Sequence, residues 1–494
     1  MVDGEAIEFL ADITAVQAVA QAMLAIGIAP GDRIAVLNRN HARWFDLMFG
    51  VASVRACLTP INFRLATVEI AVLLDDAAPR LLFVGAEFAE IALHAVAGLS
   101  QPPRMILIDG ERDGFEPFAD WLAGIGHASR ALPEPTADDA VLQLYTSGTT
   151  GKPKGAVLTN RNYRQFLRAI PGIEGFSYDA GETVMIVMPL FHVAGTNVSF
   201  AALAQGCRVV IVRDLVPDRA IAELQDYAVA HVFLAPSIIQ MLLQAPPIAS
   251  AHFPRLRTIS YGASPISEDV LRRAQATFGC GFVQFYGMTE SAGGGSYLAP
   301  SDHDDATLLR SCGKPWPGTE VAILGPGGEQ LGIDTIGEIA IRGDVVMAGY
   351  WRRPDATADA LFAGWLRTGD AGYRCARGYF YVHDRIKDMI VSGGENVYPA
   401  EVENAILGCP GVGDVAVIGV PDDRWGEAVK AIIVPDGDAP DPAAIAAWAR
   451  ARIAAYKVPK SYDFATSLPR NASGKILRRE LRARFWSGRD RGVG

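Results

Sequence analysis

The stretch Tyr145-Thr146-Ser147-Gly148-Thr149-Thr150-Gly151-Lys152-Pro153-Lys154-Gly155 gathers hydroxyls, glycine amides and two lysines directly after the apolar run 141–144. A loop of these residue types behind a strand suits a polyphosphate, because backbone N–H groups and cations converge on its oxygens. It is not a Walker A loop. The spacing is Gly-x-x-Gly-Lys, and Pro153 stands where a serine or threonine would hold magnesium. Taken alone, the segment also fits an ordinary polar loop. Lys475 follows Asn471-Ala472-Ser473-Gly474, a turn that presents one long cation. His192 stands beside Phe191 in apolar surroundings, where a satisfied interior histidine is the ordinary outcome. Asp302-His303-Asp304-Asp305 has metal-ligand residue types, but consecutive positions do not all face one ion, so a solvated loop is expected.

These segments belong to an ordered series. After the loop come Phe191-His192-Val193-Ala194-Gly195, Tyr261-Gly262-Ala263-Ser264-Pro265, Tyr286-Gly287-Met288-Thr289-Glu290 and Arg367-Thr368-Gly369-Asp370. Asp384-Arg385-Ile386-Lys387-Asp388, Ser392-Gly393-Gly394-Glu395-Asn396 and Asn471-Ala472-Ser473-Gly474-Lys475 complete it. These motifs in this order resemble the adenylate-forming (AMP-binding) superfamily, in its acyl-CoA synthetase and fatty acid–CoA ligase branch, over residues 24–481.

The resemblance implies ATP, Mg²⁺ and coenzyme A, acting on a small-molecule carboxylic acid. A carboxylate is a poor acyl donor, since its leaving group would be an oxide. Attack on the α-phosphate of ATP makes an acyl-AMP, whose leaving group is a stable phosphate. That step crowds anions together and calls for cations and oriented donors. By resemblance, Thr146, Ser147, Gly148, Thr149, Thr150, Gly151, Lys152 and Lys154 hold the departing phosphates. Thr289 bonds the α-phosphate and Glu290 binds Mg²⁺. Gly262, Ala263, Tyr286 and Gly287 enclose the adenine, Asp370 accepts the ribose hydroxyls, and Arg385 contacts the ribose. Lys475 bridges the substrate carboxylate and the α-phosphate. His192, Val193, Gly195, Ser264, Gly293 and Gly294 border the acyl group, and the small residues 291–295 leave volume for a medium or long chain. Lys387 is the hinge of a rotating C-terminal domain, after which Ser392, Gly393, Gly394, Glu395 and Trp425 line a channel for coenzyme A. Trp425 fits a core tryptophan equally well.

The elements that position these residues are legible as patterns. Val16, Val19, Ala20, Met23 and Leu24 repeat at helical spacing, Pro30-Gly31-Asp32 breaks the helix, and 34–37 reads as a buried strand. Similar runs at 81–84, 105–108, 184–187, 209–212 and 258–261 are interspersed with helical stretches such as 217–227 and 267–277. This alternation predicts an α/β architecture with a largely parallel sheet. After about residue 310, the segments 325–328, 337–341 and 378–382 predict a small β-rich region. Beyond Asp384 an α+β unit is expected, with strands at 415–420 and 431–434 and helices at 401–407 and 443–455. The expected organisation is a large N-terminal AMP-binding domain, residues 1–385, of stacked αβ subdomains plus the β-region. A mobile α+β C-terminal lid domain at 386–494 follows, carrying the lysine and the coenzyme A channel. Family members usually have an extra helix and strand before 14–27, where this sequence has a short stub.

Half of the 494 residues are hydrophobic and a fifth are charged, which excludes disorder on the scale of the whole chain. A net charge of −10 argues against a dedicated nucleic-acid binder. Cys57, Cys207, Cys280, Cys312, Cys375 and Cys409 are scattered, so buried free thiols are expected rather than a disulfide framework or a zinc site. The last 25 residues hold eight Arg or Lys, and apart from Lys475 a solvated basic helix and tail is expected for most of them. The acidic start shows no signal-peptide pattern and no apolar run reaches about 18 residues, so a cytoplasmic protein is expected. Peripheral membrane contact and a homodimer stay open. Thr59-Pro60-Ile61-Asn62-Phe63-Arg64-Leu65 and residues 391–399 resemble the bacterial fatty-acid-activating branch, which makes a fatty acyl-CoA synthetase the leading expectation. An aryl or alicyclic acid ligase of the same fold is the first alternative. An enzyme loading a carrier protein is weaker, since no carrier domain is attached, and a non-catalytic nucleotide sensor is weaker still.

Overall fold

The computed structural model describes residues 13–124, 130–146, 153–264, 266–385, 388–392, 395–422, 424–470 and 475–487, with the backbone alone at 384, 385 and 396. Aliphatic runs too short for helices and buried at every position form strands covered on both faces. Arg33–Leu37, Cys57–Pro60, Leu81–Val84, Thr183–Ile186 and Val229–Leu234 are all of this kind. They build two large sheets. The first, of eight strands, runs Gly349–Tyr350, Lys154–Thr159, Ala140–Thr146, Cys57–Pro60, Arg33–Leu37, Leu81–Val84, Arg104–Leu107, Glu116–Pro117. Its central pairs are parallel. Lys154–Thr159, however, returns antiparallel to Ala140–Thr146 and sets Thr146 opposite Lys154. A Walker A loop would lead into a helix instead. The second, of seven strands, has the parallel set Arg208–Ile211, Thr183–Ile186, Val229–Leu234, Thr258–Gly262 and Gly281–Tyr286, then antiparallel Ser296–Leu298 and Lys314–Pro315.

Strand alternation sorts the core into layers. Ala35, Leu37, Leu82 and Val84 face the helices Thr67–Ala77 and Ala89–Val96. Ile34, Val36, Leu58 and Phe83 face the helices Arg43–Ser53, Asn160–Ala169 and Val193–Ala204, which fill the space up to Val184, Ile186, Val209 and Ile211 of the second sheet. On that sheet's other face, Met185, Val210, Val232 and Ile259 meet the helices Pro217–Asp226, Pro236–Gln244 and Glu268–Phe278. A third, antiparallel sheet joins Glu320–Leu324, Gly337–Arg342, Trp365–Arg374 and Phe380–Arg385, and its register puts Asp370 opposite Arg385.

The fourth sheet is a long hairpin, Val412–Asp422 with Gly426–Pro435, flanked by Ile390–Ser392 and by parallel Ser461–Phe464. Val415, Val417, Ala431 and Ile433 face the helices Pro399–Leu407 and Pro442–Arg450. Ala416, Ile418 and Ile432 face Leu468, Ile476, Leu481 and Phe485.

Several expectations need correction. Residues 325–328 form the turn between strands, not a strand, with Gly328 at φ +87°. The helix expected at 443–455 ends at Arg450, because Val458 must turn into the core before Ser461–Phe464 can join the sheet. His303 is not solvated: it is 3% exposed, bonded to Ala299 O at 2.7 Å and to the Tyr261 hydroxyl at 3.0 Å. The basic helix is present as Arg478–Ala483, but Arg478 and Arg482 on it are largely buried rather than solvated. Among the cysteines, Cys57, Cys207, Cys312 and Cys409 are buried thiols, whereas Cys280 and Cys375 are partly exposed.

Candidate active site

Thr146, Gly262 and Tyr286 each close the C-terminal end of a strand. Open α/β sheets hold ligands outside those ends. The Tyr286 hydroxyl donates to Asp370 Oδ2 at 2.8 Å, which ties the third sheet to the second. Asp370 itself is preset by its own turn. Thr368 Oγ1 accepts from Asp370 N at 3.1 Å and donates to Ile339 O at 2.6 Å, while Glu338 accepts from Gly369 N at 2.9 Å. Glu290, 5% exposed, lies in the short helical turn Thr289–Ser291 that follows Tyr286. Its Oε1 accepts from Thr146 Oγ1 at 3.2 Å and from the Tyr350 hydroxyl at 2.7 Å. Lys154 Nζ sits 5.1 Å from the centre of the Tyr350 ring. Two groups result, joined by residues 286–290 of the chain: Thr146, Glu290 and Tyr350 with Lys154 beside the tyrosine ring, and Tyr286 with Asp370. Tyr350 is absent from the sequence reading, since a two-residue strand carries no periodic signal.

Ala263 leaves its strand at φ +68°, a left-handed conformation that a non-glycine residue adopts where the surroundings enforce it, and Ser264 beside it is half-buried. His192 caps the helix Val193–Ala204, and its ring lies 4.5 Å from Phe191, which meets Phe63 edge-on at 5.4 Å. Burial, with the Arg64 cation adding to it, pushes the imidazole down to about 4, so it is neutral at pH 7. Its Nε2 is buried and has no hydrogen-bond partner among the described residues. Gly195 and Gly293 have structural reasons to be small. A Cβ at Gly195 would stand 2.4 Å from Pro189 O, and Gly293 has φ +76° against Asn197. Asn197, which the sequence reading missed, donates from Nδ2 to Ala292 O at 2.8 Å and so ties that helix to the turn after Glu290.

The remaining candidates lie on the fourth-sheet unit. Lys475 precedes Ile476, which bridges Arg470 and packs on the outer face of that sheet. Ser392 and Trp425 line a cavity of about 250 Å³ together with Ala455, Tyr456 and Lys460. Trp425 is 37% exposed, with Lys460 Nζ 5.7 Å from its ring, so it is not a core tryptophan. Tyr456 and Lys460 were not singled out by sequence. Glu395 is exposed. Ser147, Gly148, Thr149, Thr150, Gly151, Lys152, Lys387, Gly393 and Gly394 lie outside the described residues, as does the Arg385 side chain. No group of three or more metal-ligating side chains occurs among the described residues, so a cation here would rest on Glu290 and on oxygens of a ligand.

Phosphate-loop strands, a preset aspartate and a separate small α+β unit define an adenylate-forming enzyme. The chain belongs to the AMP-binding enzyme family: residues 14–351 match the family model, and 401–475 match that of the AMP-binding enzyme C-terminal domain. It is 38% identical to a fatty acid–[acyl-carrier-protein] ligase of Streptomyces coeruleorubidus, over 96% of this chain and 91% of that one. It is 39% identical to a feruloyl-CoA synthase of an Amycolatopsis species, over 94% and 91%. Among solved structures, a Mycobacterium tuberculosis fatty acyl CoA synthetase is 33% identical and superposes with a TM-score of 0.74, over 96% and 92%. The o-succinylbenzoate CoA synthetase of Bacillus subtilis, in complex with its acyl-adenylate, gives 0.81 at 28% identity, over 95% and 92%.

Proposed function

We propose that this chain is an acyl-CoA synthetase, joining a carboxylic acid to the thiol of coenzyme A with conversion of ATP to AMP and pyrophosphate. The observation that carries the reading is the pair of groups at the strand ends, Lys154 with Tyr350, Glu290 and Thr146, and Tyr286 with Asp370, joined by the chain 286–290. It offers a cation for phosphates at one end and a carboxylate for vicinal ribose hydroxyls at the other. Glu290 suits Mg²⁺, since a hard carboxylate oxygen plus substrate phosphates is that ion's usual coordination. Bound there, the cation would neutralise phosphate charge. Thr289, next to Glu290, donates to the α-phosphate. A carboxylate oxygen attacks that phosphorus, the bond to the bridging oxygen breaks, and pyrophosphate leaves. Lys475 then supplies a cation where charge is most concentrated.

In the second step the coenzyme A sulfur attacks the acyl carbon and AMP departs. The cavity of Ser392, Trp425, Tyr456 and Lys460 supports an approach route on the smaller unit, because aromatic faces beside a cation fit a nucleotide's base and phosphates. Residues 1–385 and 386–494 act as the two working domains, with Lys387 between them as the hinge. The acid is read as a medium- or long-chain fatty acid, with an aryl acid as the second reading on the similarity to feruloyl-CoA synthase. The test is AMP formation with dodecanoate, palmitate, benzoate and ferulate, each with and without coenzyme A, and with a phosphopantetheinylated acyl carrier protein in its place. Coenzyme A-dependent AMP formation on a fatty acid is expected. AMP formation on ferulate or benzoate alone favours the aryl reading, and none on any acid refutes the proposal.

A further inference from the structure

The basic segment expected to be a solvated helix and tail takes part in a buried charge cluster that the reaction as described leaves unused. Arg478 opens the helix Arg478–Ala483 and grips two carboxylates. Its Nη2 donates to Glu403 Oε2 at 2.6 Å, its Nε to Glu403 Oε1 at 3.3 Å, and its Nη1 lies 3.7 Å from Asp388 Oδ2. Arg482, one turn on, pairs with Asp388 Oδ1 at 2.9 Å. The four side chains are between 10% and 16% exposed, so these pairs are only weakly screened by solvent. Glu403 also accepts from Val417 N at 2.7 Å, which pins the cluster to the central hairpin.

The placement of this cluster matters. Asp388 is the residue directly after 386–387, where the hinge is proposed, and Arg478 stands three residues after Lys475. The segment holding Lys475 is otherwise tied down by the Arg470–Ile476 bridge and by Leu477 N donating to Pro469 O at 2.8 Å. Ser392, by contrast, is held by sheet pairing to Gly426 and to Glu395, independently of the cluster.

We propose that Asp388, Glu403, Arg478 and Arg482 form a positioning latch, which fixes the Lys475 segment to the chain leaving the hinge. Rotation at the hinge then delivers the lysine to the α-phosphate in one defined place. The latch rests on the proposed role of Lys475 and acts through it, so it matters for acyl-AMP formation and not for transfer to the thiol.

The test uses the full-length enzyme with dodecanoate and ferulate in parallel. It follows pyrophosphate release, thioester formation from supplied dodecanoyl-AMP or feruloyl-AMP with coenzyme A, and thermal unfolding. A misplacement of an ångström costs about a hundredfold in rate. Asp388→Asn and Arg478→Met are therefore expected to lower kcat for pyrophosphate release by about ten- to a hundredfold. KM for ATP and the thioester step should change by less than about threefold. Arg478→Lys keeps the charge but not the fork that reaches two carboxylates, so it should fall between. The double variant Lys475→Ala/Arg478→Met should be no slower than Lys475→Ala alone, because partners in one device are not additive. Additive loss in the double variant, or equal loss of both half-reactions in Asp388→Asn and Arg478→Met, overturns the latch while leaving the role of Lys475 intact. Full pyrophosphate release by Lys475→Ala would instead remove the role of Lys475 and the latch with it.

Discussion

At the scale of single residues, Glu290 is a buried carboxylate of the site held by hydroxyls. Thr146 and Tyr350 both donate to the same oxygen, Oε1. Hydrogen bonds to a charged group contribute about 1.5–3 kcal/mol, so Tyr350→Phe should slow acyl-AMP formation by roughly tenfold or more. It should also raise the Mg²⁺ concentration at half-maximal pyrophosphate release, with a fall of a few degrees or less in melting temperature. An unchanged Mg²⁺ dependence would mean that Tyr350 serves packing alone. His192 allows a test by pH. Its folded value is lowered to about 4 from an ordinary 6.5, chiefly by burial. The unfolded chain therefore binds the proton first, so this contribution to stability is complete above pH 6.5 and is lost as pH falls toward 4. The full shift corresponds to about 3 kcal/mol. His192→Gln removes it, so the difference in unfolding free energy between the native protein and the variant should slope between pH 6.5 and 4 and be flat above pH 7.

At the scale of elements, the helix Val193–Ala204 must approach the segment before it closely enough to carry His192 and Asn197 toward the turn after Glu290. Gly195 permits that approach. A Cβ there would stand 2.4 Å from Pro189 O and 2.6 Å from Met188 O, both backbone atoms that cannot rotate away. Gly195→Ala should cost about 1–3 kcal/mol, the usual range for forced overpacking, read by denaturant unfolding. Gly294 differs. A Cβ there would first meet the Val345 side chain at 3.1 Å, which can give way. If the run 291–295 borders the acyl chain, Gly294→Leu should shift preference from hexadecanoate toward octanoate. An unchanged chain-length profile would assign these glycines to the turn.

At the scale of the whole molecule, the proposed function puts the α-phosphate chemistry and the thiol route on different parts of one small unit. Lys475 precedes Ile476, which packs on the outer sheet face, and Ser392 and Trp425 line a cavity with Tyr456 and Lys460. Each part can therefore be damaged alone. Lys475→Ala should lose several kcal/mol of transition-state stabilisation in pyrophosphate release while thioester formation from supplied acyl-AMP stays near normal. Trp425→Ala should do the reverse, raising KM for coenzyme A while acyl-AMP still forms. Parallel loss of both steps in both variants would point to a single fixed geometry.

The sequence by itself determined the α/β class, the buried strands and the ordered motifs, because short aliphatic runs and turn residues act locally. Thr146, Tyr286, Glu290 and Asp370 were named through the resemblance of the ordered motifs to the AMP-binding family, and no periodic pattern singles them out. What the tertiary structure decided is which distant residues share a hydrogen bond. Tyr350 reaches Glu290 from a two-residue strand, and Asn197 reaches Ala292 across the fold. Arg478 finds Asp388 and Glu403 from a segment whose composition alone reads as solvated. Charge and hydroxyl content are visible in one dimension. Burial and partnership depend on how sheets and helices pack in three, and that packing buried two arginines of a basic helix against carboxylates and brought an unmarked tyrosine to Glu290.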